Sequence, residues 1–291
     1  MNAGQKKRLT NLLSQQLNYP LLADDLSPVG GGCINECYRL KTSAGIFFLK
    51  KNNPAKFPGM FAAEARGLNH LNQAVSGIAP QVIAEKENEQ EMILILEWIE
   101  QGVAKKNFWS DFAYKLASVH RNSHASFGLG YSNYIGALVQ DNRPLADWDL
   151  FFIERRIKPQ LKSAVDSKRL SASLITPFEK LFSKLPEIFP PEAPALVHGD
   201  LWSGNFMTGP DGMVRLIDPA IYFGNREADL AMTRLFGGFD ISFYRHYQEH
   251  FPLQPGFEKR ADIYNLYPLL VHVNLFGGYY GDQVKRIVQD F

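Results

Sequence analysis

The sequence predicts an α+β protein of two lobes, a small β-rich N-terminal lobe with one key helix and a larger, mainly helical C-terminal lobe. Alternating apolar runs dominate the first hundred or so residues, and apolar residues at helical spacing dominate the rest. Within the helical part, the polar stretch His198-Gly199-Asp200-Leu201-Trp202-Ser203-Gly204-Asn205 lies between strand-like runs. The lobes are expected to meet near residues 97–102, giving a first lobe over 1–97 and a second over 98–291.

Leu9, Leu12, Leu13 and Leu17 share one helical face, and that helix is expected to stop before Tyr19-Pro20. A glycine-rich turn, Val29 to Glu36, precedes two strands, Cys37 to Leu40 and Ile46 to Lys50, joined at Ser43-Ala44-Gly45. Met60 to Leu71 reads as a helix. Gln81 to Glu85 and Met92 to Glu97 read as a hairpin around a charged turn. Phe108, Phe112, Leu116 and Val119 then open the helical lobe, and Trp148 to Leu161 continues it with an interruption at Pro159. Thr176-Pro177-Phe178-Glu179 reads as a helix start, with Thr176 as N-cap. Arg226–Phe236, Phe243–Phe251, Glu258–Leu270 and Asp282–Val288 read as the remaining helices.

Composition narrows the class. A chain that is 45% hydrophobic and 21% charged is ordinary for a globular enzyme. A formal net charge of +1 gives no field to attract nucleic acid or an anionic membrane. The apolar runs, such as Met92 to Leu96, are far shorter than the ~20 residues a membrane helix needs. Gln5-Lys6-Lys7-Arg8 is not followed by a signal-peptide core. Two cysteines, Cys33 and Cys37, are too few for a disulfide framework, so the expected location is cytoplasmic.

The polar stretch carries the chemistry. Asp200 is followed at kinase spacing by Asn205, and Asp218 closes the apolar run Met213 to Ile217. A carboxylate at Asp200 can accept the proton of an attacking hydroxyl, while Asn205 and Asp218 are hard oxygen ligands suited to Mg²⁺. The protein-kinase pattern is H-R-D-x-x-x-x-N followed by D-F-G; here Gly199 replaces the arginine and Asp218-Pro219-Ala220 replaces D-F-G. Lys50 ends a strand and Glu64 falls inside the following helix, as in a phosphate-binding lysine paired to a glutamate. Gly30, Gly31 and Gly32 can let backbone N–H groups approach phosphates. Glu97, Trp98 and Ile99 stand where a hinge would meet adenine. ATP and Mg²⁺ are therefore the expected cofactors. His246-Tyr247-Gln248-Glu249-His250 matches a zinc-peptidase pattern but is better explained as a polar helix face. His198 is expected to brace the turn by hydrogen bonding.

His198 to Asn205, Asp218-Pro219-Ala220-Ile221-Tyr222-Phe223-Gly224 and Arg226-Glu227-Ala228-Asp229-Leu230-Ala231-Met232 together resemble the fructosamine kinase family, within the aminoglycoside-phosphotransferase-like branch of the kinase fold. Cys33-Ile34-Asn35 and Phe61-Ala62-Ala63-Glu64-Ala65 fit it too. The resemblance implies a bilobal protein-kinase-like fold and ATP-dependent phosphorylation of ketosamines at the sugar O3, with ribulosamines or erythrulosamines favoured over fructosamines. It implies a small-molecule or protein-bound ketosamine as partner. It also implies that Asp200 acts on the sugar hydroxyl, Asn205 and Asp218 hold Mg²⁺, Lys50 meets the phosphates and Glu64 orders Lys50. Trp202 is a candidate apolar wall for the sugar, and Asp229 is expected to brace the loop. Trp148 to Phe152 with Arg155 and Arg156 is a candidate cover for the substrate pocket, and Cys33 a candidate redox site. The alternatives are an acceptor of aminoglycoside, choline or homoserine type, and a nucleotide-binding pseudokinase scaffold.

Overall fold

Alternation along two neighbouring strands organises the first part of the chain in the computed structural model, which describes residues 9–15, 23–30, 34–289 and 291. Strands β1 (Ala23–Pro28), β2 (Glu36–Thr42), β3 (Gly45–Asn52), β4 (Val82–Glu87) and β5 (Met92–Glu97) form one antiparallel sheet in the order β1-β2-β3-β5-β4. Side chains alternate faces along a strand. Phe47 and Leu49 of β3, with Ile93 and Ile95 of β5, therefore pack on one face against Leu9 and Leu13 of helix α1 (9–15). Met92, Leu94 and Leu96 are buried on the opposite face, the side of helix α2 (Met60–Ala74), which buries Phe61, Leu68 and Leu71.

The chain divides into two compact units, one of residues 1–106 with 207–217, the other of 107–206 with 218–291. Residues 98–106, assigned to the second lobe in the sequence reading, fall with the first unit, as does the segment 207–217. Hydrogen bonds explain the latter. Leu216 N–H donates to Ile78 at 2.7 Å and Gly102 N–H to Thr208 at 3.0 Å. Gly102 cannot carry a side chain there, since a Cβ would lie 2.0 Å from the Gly209 carbonyl oxygen.

The second unit is mainly helical. Helix α3 (Phe108–His120) packs on α8 (Ile241–His250), with Phe112 ring centroids 5.2, 5.5 and 5.2 Å from Phe206, Phe239 and Phe243. The segment from Trp148 is helical but not uniform: α4 (Trp148–Phe151) runs into a π-helical stretch (Phe152–Ile157) before α5 (Lys158–Asp166). Pro159 has no N–H for the Arg155 carbonyl and would clash with it in a regular helix, so the helix widens ahead of it. The freed Arg155 carbonyl accepts instead from Arg156 Nη1 at 3.2 Å. This segment builds core rather than a pocket cover: Trp148, Phe151 and Phe152 are buried, with Trp148 5.5 Å from Phe127 and 6.2 Å from Tyr264.

Helix α6 (Ile175–Ile188) starts earlier than the sequence suggests. A 3₁₀ turn over Ala172–Leu174 feeds it, and the cap is the Ser171 side chain, accepting from Ser173 N–H, not Thr176. The remaining helices are α7 (Glu227–Leu235), α9 (Phe257–Phe276) and α10 (Tyr280–Val288). The hairpin β6 (Asn133–Ile135) with β7 (Leu138–Gln140) escaped the sequence reading, whereas the strand-like run ahead of His198 is β8 (Ala195–Val197), antiparallel to β11 (Tyr222–Gly224). A third short pair joins β9 (Phe206–Thr208) to β10 (Val214–Leu216).

Glu227 of α7 and Arg260 of α9 form a buried two-pronged ion pair, Oε1 to Nη2 at 2.6 Å and Oε2 to Nε at 2.7 Å. Removing one member strands the other charge away from water. Arg260→Met is expected to lower unfolding free energy by about 3–5 kcal/mol, read by urea denaturation; a loss within error would show that Glu227 finds another partner.

Candidate active site

Buried strand β8 delivers the chain into the polar turn, where the backbone is held by one carboxylate. Asp229, in the first turn of α7, accepts from His198 N–H at 2.7 Å and Gly199 N–H at 2.9 Å. Its Oδ2 also meets His120 Nε2 at 3.1 Å, and His120 Nδ1 meets the Tyr247 hydroxyl at 2.8 Å. Burial pushes the Asp229 carboxyl upward, but the His120 hydrogen bond and charge, with His198 and the Gly199 N–H, outweigh it and hold the group below its ordinary value. Asp229 thus stays an anion and braces the turn, as anticipated. His198 braces it too: its Nδ1 accepts from Asp200 N–H at 3.3 Å. Gly199 has φ of 80°, and a Cβ there would lie 2.2 Å from the Ala220 carbonyl oxygen.

The turn presents Asp200. Its carboxylate accepts from Asn205 Nδ2 at 2.8 Å, and the same nitrogen reaches the Asp200 carbonyl at 2.8 Å. Asp200 keeps some contact with solvent, yet enough protein surrounds the carboxyl to push it up to about 7, chiefly by desolvation. The Asn205 bond opposes that shift; the charges of Asp218 and Asp229 add to it. Asp218 follows β10 with φ of 53°, the left-handed region, while Ala220 N–H donates back to His198 at 2.9 Å. Asp200, Asn205 and Asp218 are thus brought together in one unit. Trp202 is partly exposed and lies over Gly204, where a Cβ would come within 2.3 Å of its ring. Phe236 stands edge-on to Trp202 at 5.9 Å.

Among the described residues no group of three or more His, Cys, Asp or Glu side chains is arranged to hold a metal ion. Asn205 and Asp218 instead form a small set of hard oxygen donors. With Asn205 Nδ2 committed to Asp200, its Oδ1 is the atom left to face a cation. Mg²⁺ is commonly held by one or two protein oxygens together with phosphates and water, and this donor set fits it. His246 and His250 of the zinc-like pattern are engaged otherwise, His246 with Glu249 at 2.9 Å and His250 edge-on to Tyr114.

In the first unit Lys50 Nζ lies 2.6 Å from Glu64 Oε1, the lysine almost fully buried. Lys50 reaches the α2 side of the sheet because it alternates with Phe47 and Leu49 on the other. Gly30 is open, with nothing within 4 Å of where a Cβ would stand. Gly31, Gly32 and Cys33 lie outside the described residues. At the end of β5, Glu97 Oε2 accepts from Gln81 N–H at 3.1 Å; just beyond it Trp98 donates to Glu100 at 2.8 Å and lies under Arg39, and Ile99 is buried. Sequence reasoning missed His120, whose contact with Asp229 spans 109 positions and carries no spacing signal. It missed Asn133 and Gln140 for the same reason: their targets are backbone carbonyls 88 and 80 positions away.

Comparison with known proteins gives the family. The fructosamine kinase family model matches residues 5–291. A protein of Enterococcus faecium named as a ketoamine kinase is 38% identical over 266 residues, covering 91% of this chain and 94% of its own. A rice protein named a chloroplastic protein-ribulosamine 3-kinase is 36% identical, covering 91% of this chain and 78% of its own. The crystal structure of a protein of Thermobifida fusca assigned as a fructosamine-3-kinase superposes with a TM-score of 0.87 at 32% identity, over 98% of this chain and 96% of that one. An aminoglycoside phosphotransferase bound to AMP-PNP and hygromycin B shares the fold, with a TM-score of 0.63 at 15% identity over 97% and 98% of the two chains.

The Asp200 environment gives a test without substrate. The folded carboxyl titrates near 7 and the unfolded one near 3.8, so between those values only the folded chain holds the proton. That contribution to stability is full below about pH 4 and is lost as pH rises toward 7. Asp200→Asn, which keeps the neutral shape, should differ least from the parent at about pH 4 and exceed it at pH 7.5 in metal-free buffer by on the order of 1–3 kcal/mol. Denaturation at the two pH values checks this; a pH-independent difference would refute it.

Proposed function

The chain belongs to the fructosamine kinase family and is a phosphotransferase, and from that premise we propose that it transfers the γ-phosphate of ATP to the sugar O3 of a ketosamine, the adduct of a sugar with an amine or a protein lysine. The observation that carries the reading is Asp200, fixed by Asn205, raised to about 7 and grouped with Asp218 on a turn braced by Asp229.

In this reading the sugar hydroxyl is oriented by the Asp200 carboxylate and gives up its proton to it as the oxygen attacks phosphorus. The O–P bond to the acceptor forms, the bond to the β-phosphate oxygen breaks, and ADP leaves. A carboxyl titrating near neutrality holds that proton far better than an ordinary aspartate does. Lys50 Nζ pairs with phosphate oxygens and Glu64 sets its direction. Asn205 and Asp218 hold Mg²⁺, which when bound neutralises charge across the phosphates. Gly30, open where a Cβ would stand, lets its backbone approach the phosphates, and Glu97 to Ile99 meet adenine. Residues 1–106 with 207–217 act as the nucleotide-covering unit, and 107–206 with 218–291 as the catalytic one.

Trp202 with Phe236 forms an apolar wall for the sugar. Phosphate on O3 leaves an adduct that decomposes to a free amine, so the physiological outcome is deglycation. The rice ribulosamine kinase supports a ribulosamine as the preferred substrate. No described helix is long and apolar enough to cross a membrane. The assignment of the activity to the cytoplasm rests on the two cysteines, too few for a disulfide framework.

ATP consumption on ribulosyl-lysine, fructosyl-lysine, kanamycin and choline tests the proposal. Turnover is expected on the ketosamines, ribulosyl above fructosyl, with Asp200→Asn lowering kcat by about 10²–10⁴-fold. Turnover confined to kanamycin or choline would replace the acceptor, and no Mg²⁺-dependent turnover on any of the four would favour a nucleotide-binding scaffold.

A further inference from the structure

We propose that Gln140 and Asn133 are positioning residues for phosphoryl transfer, acting on Asp218 through the carbonyls of Ala220 and Ile221; the inference rests on the assignment of Asp218 as a Mg²⁺ ligand. The two side chains stand opposite each other on the hairpin β6–β7, both buried. Gln140 Nε2 donates to the Ala220 carbonyl at 3.0 Å and Asn133 Nδ2 to the Ile221 carbonyl at 2.8 Å.

Each amide is fixed in orientation by its other contacts. Asn133 Oδ1 accepts from Gln140 Nε2 and Asn142 Nδ2, both at 2.8 Å. Gln140 Oε1 accepts from the Tyr267 hydroxyl at 2.7 Å, and Asn142 Oδ1 from Arg156 Nη2 at 2.6 Å. Arg156 is itself buried, its guanidinium 4.0 Å from the Tyr222 ring centre. A connected set of side chains therefore ends on two consecutive carbonyls just beyond Asp218.

Asp218 needs that support. A non-glycine residue at φ of 53° is strained, and such a conformation persists where its surroundings over-determine it. Ala220 is gripped on both sides, its N–H by His198 and its carbonyl by Gln140. With Pro219 fixing one dihedral between them, the Asp218 backbone has little freedom left. Neutral amides suit the task, since they donate without adding formal charge beside Asp200 and Asp218.

The test uses Mn²⁺ with AMP-PNP, read by electron paramagnetic resonance on the full chain, alongside kcat and KM on the ketosamine turned over and thermal melting. Removing an outer partner of a metal ligand typically weakens affinity or activity by about 10–100-fold. Gln140→Met should weaken Mn²⁺ about tenfold and lower kcat by a similar factor, with KM for the ketosamine unchanged. Tyr267→Phe, which keeps both Gln140 donors, should show a loss of about two- to threefold in the same direction, and decides the matter if Gln140→Met does not fold. Val139→Ala, on the exposed side of the hairpin, should show none. A Gln140→Met variant that melts lower yet keeps Mn²⁺ affinity and kcat would overturn the inference and leave a structural role. Should Asp218→Ala itself keep Mn²⁺ affinity, the ligand assignment fails and the inference with it.

Discussion

Everything in the candidate site hangs on a carboxylate that touches neither substrate nor metal in the proposed reaction. Asp229 satisfies two consecutive backbone N–H groups, His198 and Gly199, that a sharp turn would otherwise bury without partners. A buried anion is costly unless matched, and the match comes from α3 and α8. His120 of α3 meets Asp229, Tyr247 of α8 meets His120, and Arg226 Nη1 reaches the Tyr247 hydroxyl while bridging to Glu192. The position of Asp200 is thus set by how three helices pack, not by the turn alone.

The same arrangement sorts the acidic groups by role. Asp229 is surrounded by donors and held in its charged form, while Asp200 has a single amide donor and the charges of Asp218 and Asp229 against it. One carboxylate is an anchor; another is poised to take up a proton near neutrality. Like charge shared between Asp200 and Asp218 also makes that part of the unit a favourable place for a divalent cation, whose binding would relieve the repulsion.

Much of this was legible because it follows local rules. Period-two runs marked β2, β3, β4 and β5, and the spacing of Lys50 and Glu64 placed a strand lysine against a helix glutamate, now found 2.6 Å apart. Helix ends were less legible. Thr176 had the composition of a cap, but the 3₁₀ turn capped by Ser171 began the helix upstream and left it no such role. Trp148 to Arg156 misled more deeply. Aromatics followed by arginines suggested a cover for the substrate pocket, yet Arg156 is buried with rings 4.0 and 4.5 Å away and carbonyls as acceptors. Pairings such as His120 with Asp229 or Gln140 with Ala220 depend on tertiary packing and leave no periodic trace.

The glycines of the motif show how local spacing and tertiary packing meet. Gly199 is required because the Ala220 carbonyl occupies the space of a Cβ, and Gly204 because the Trp202 ring does. Neither glycine serves flexibility. The first lets the segment after Asp218 approach the turn that carries Asp200; the second lets an aromatic ring fold back over its own loop, leaving one face partly exposed. The spacing from His198 to Asn205 is therefore a record of two close approaches, and a side chain at either position would displace the carboxylate or the ring rather than merely stiffen the loop.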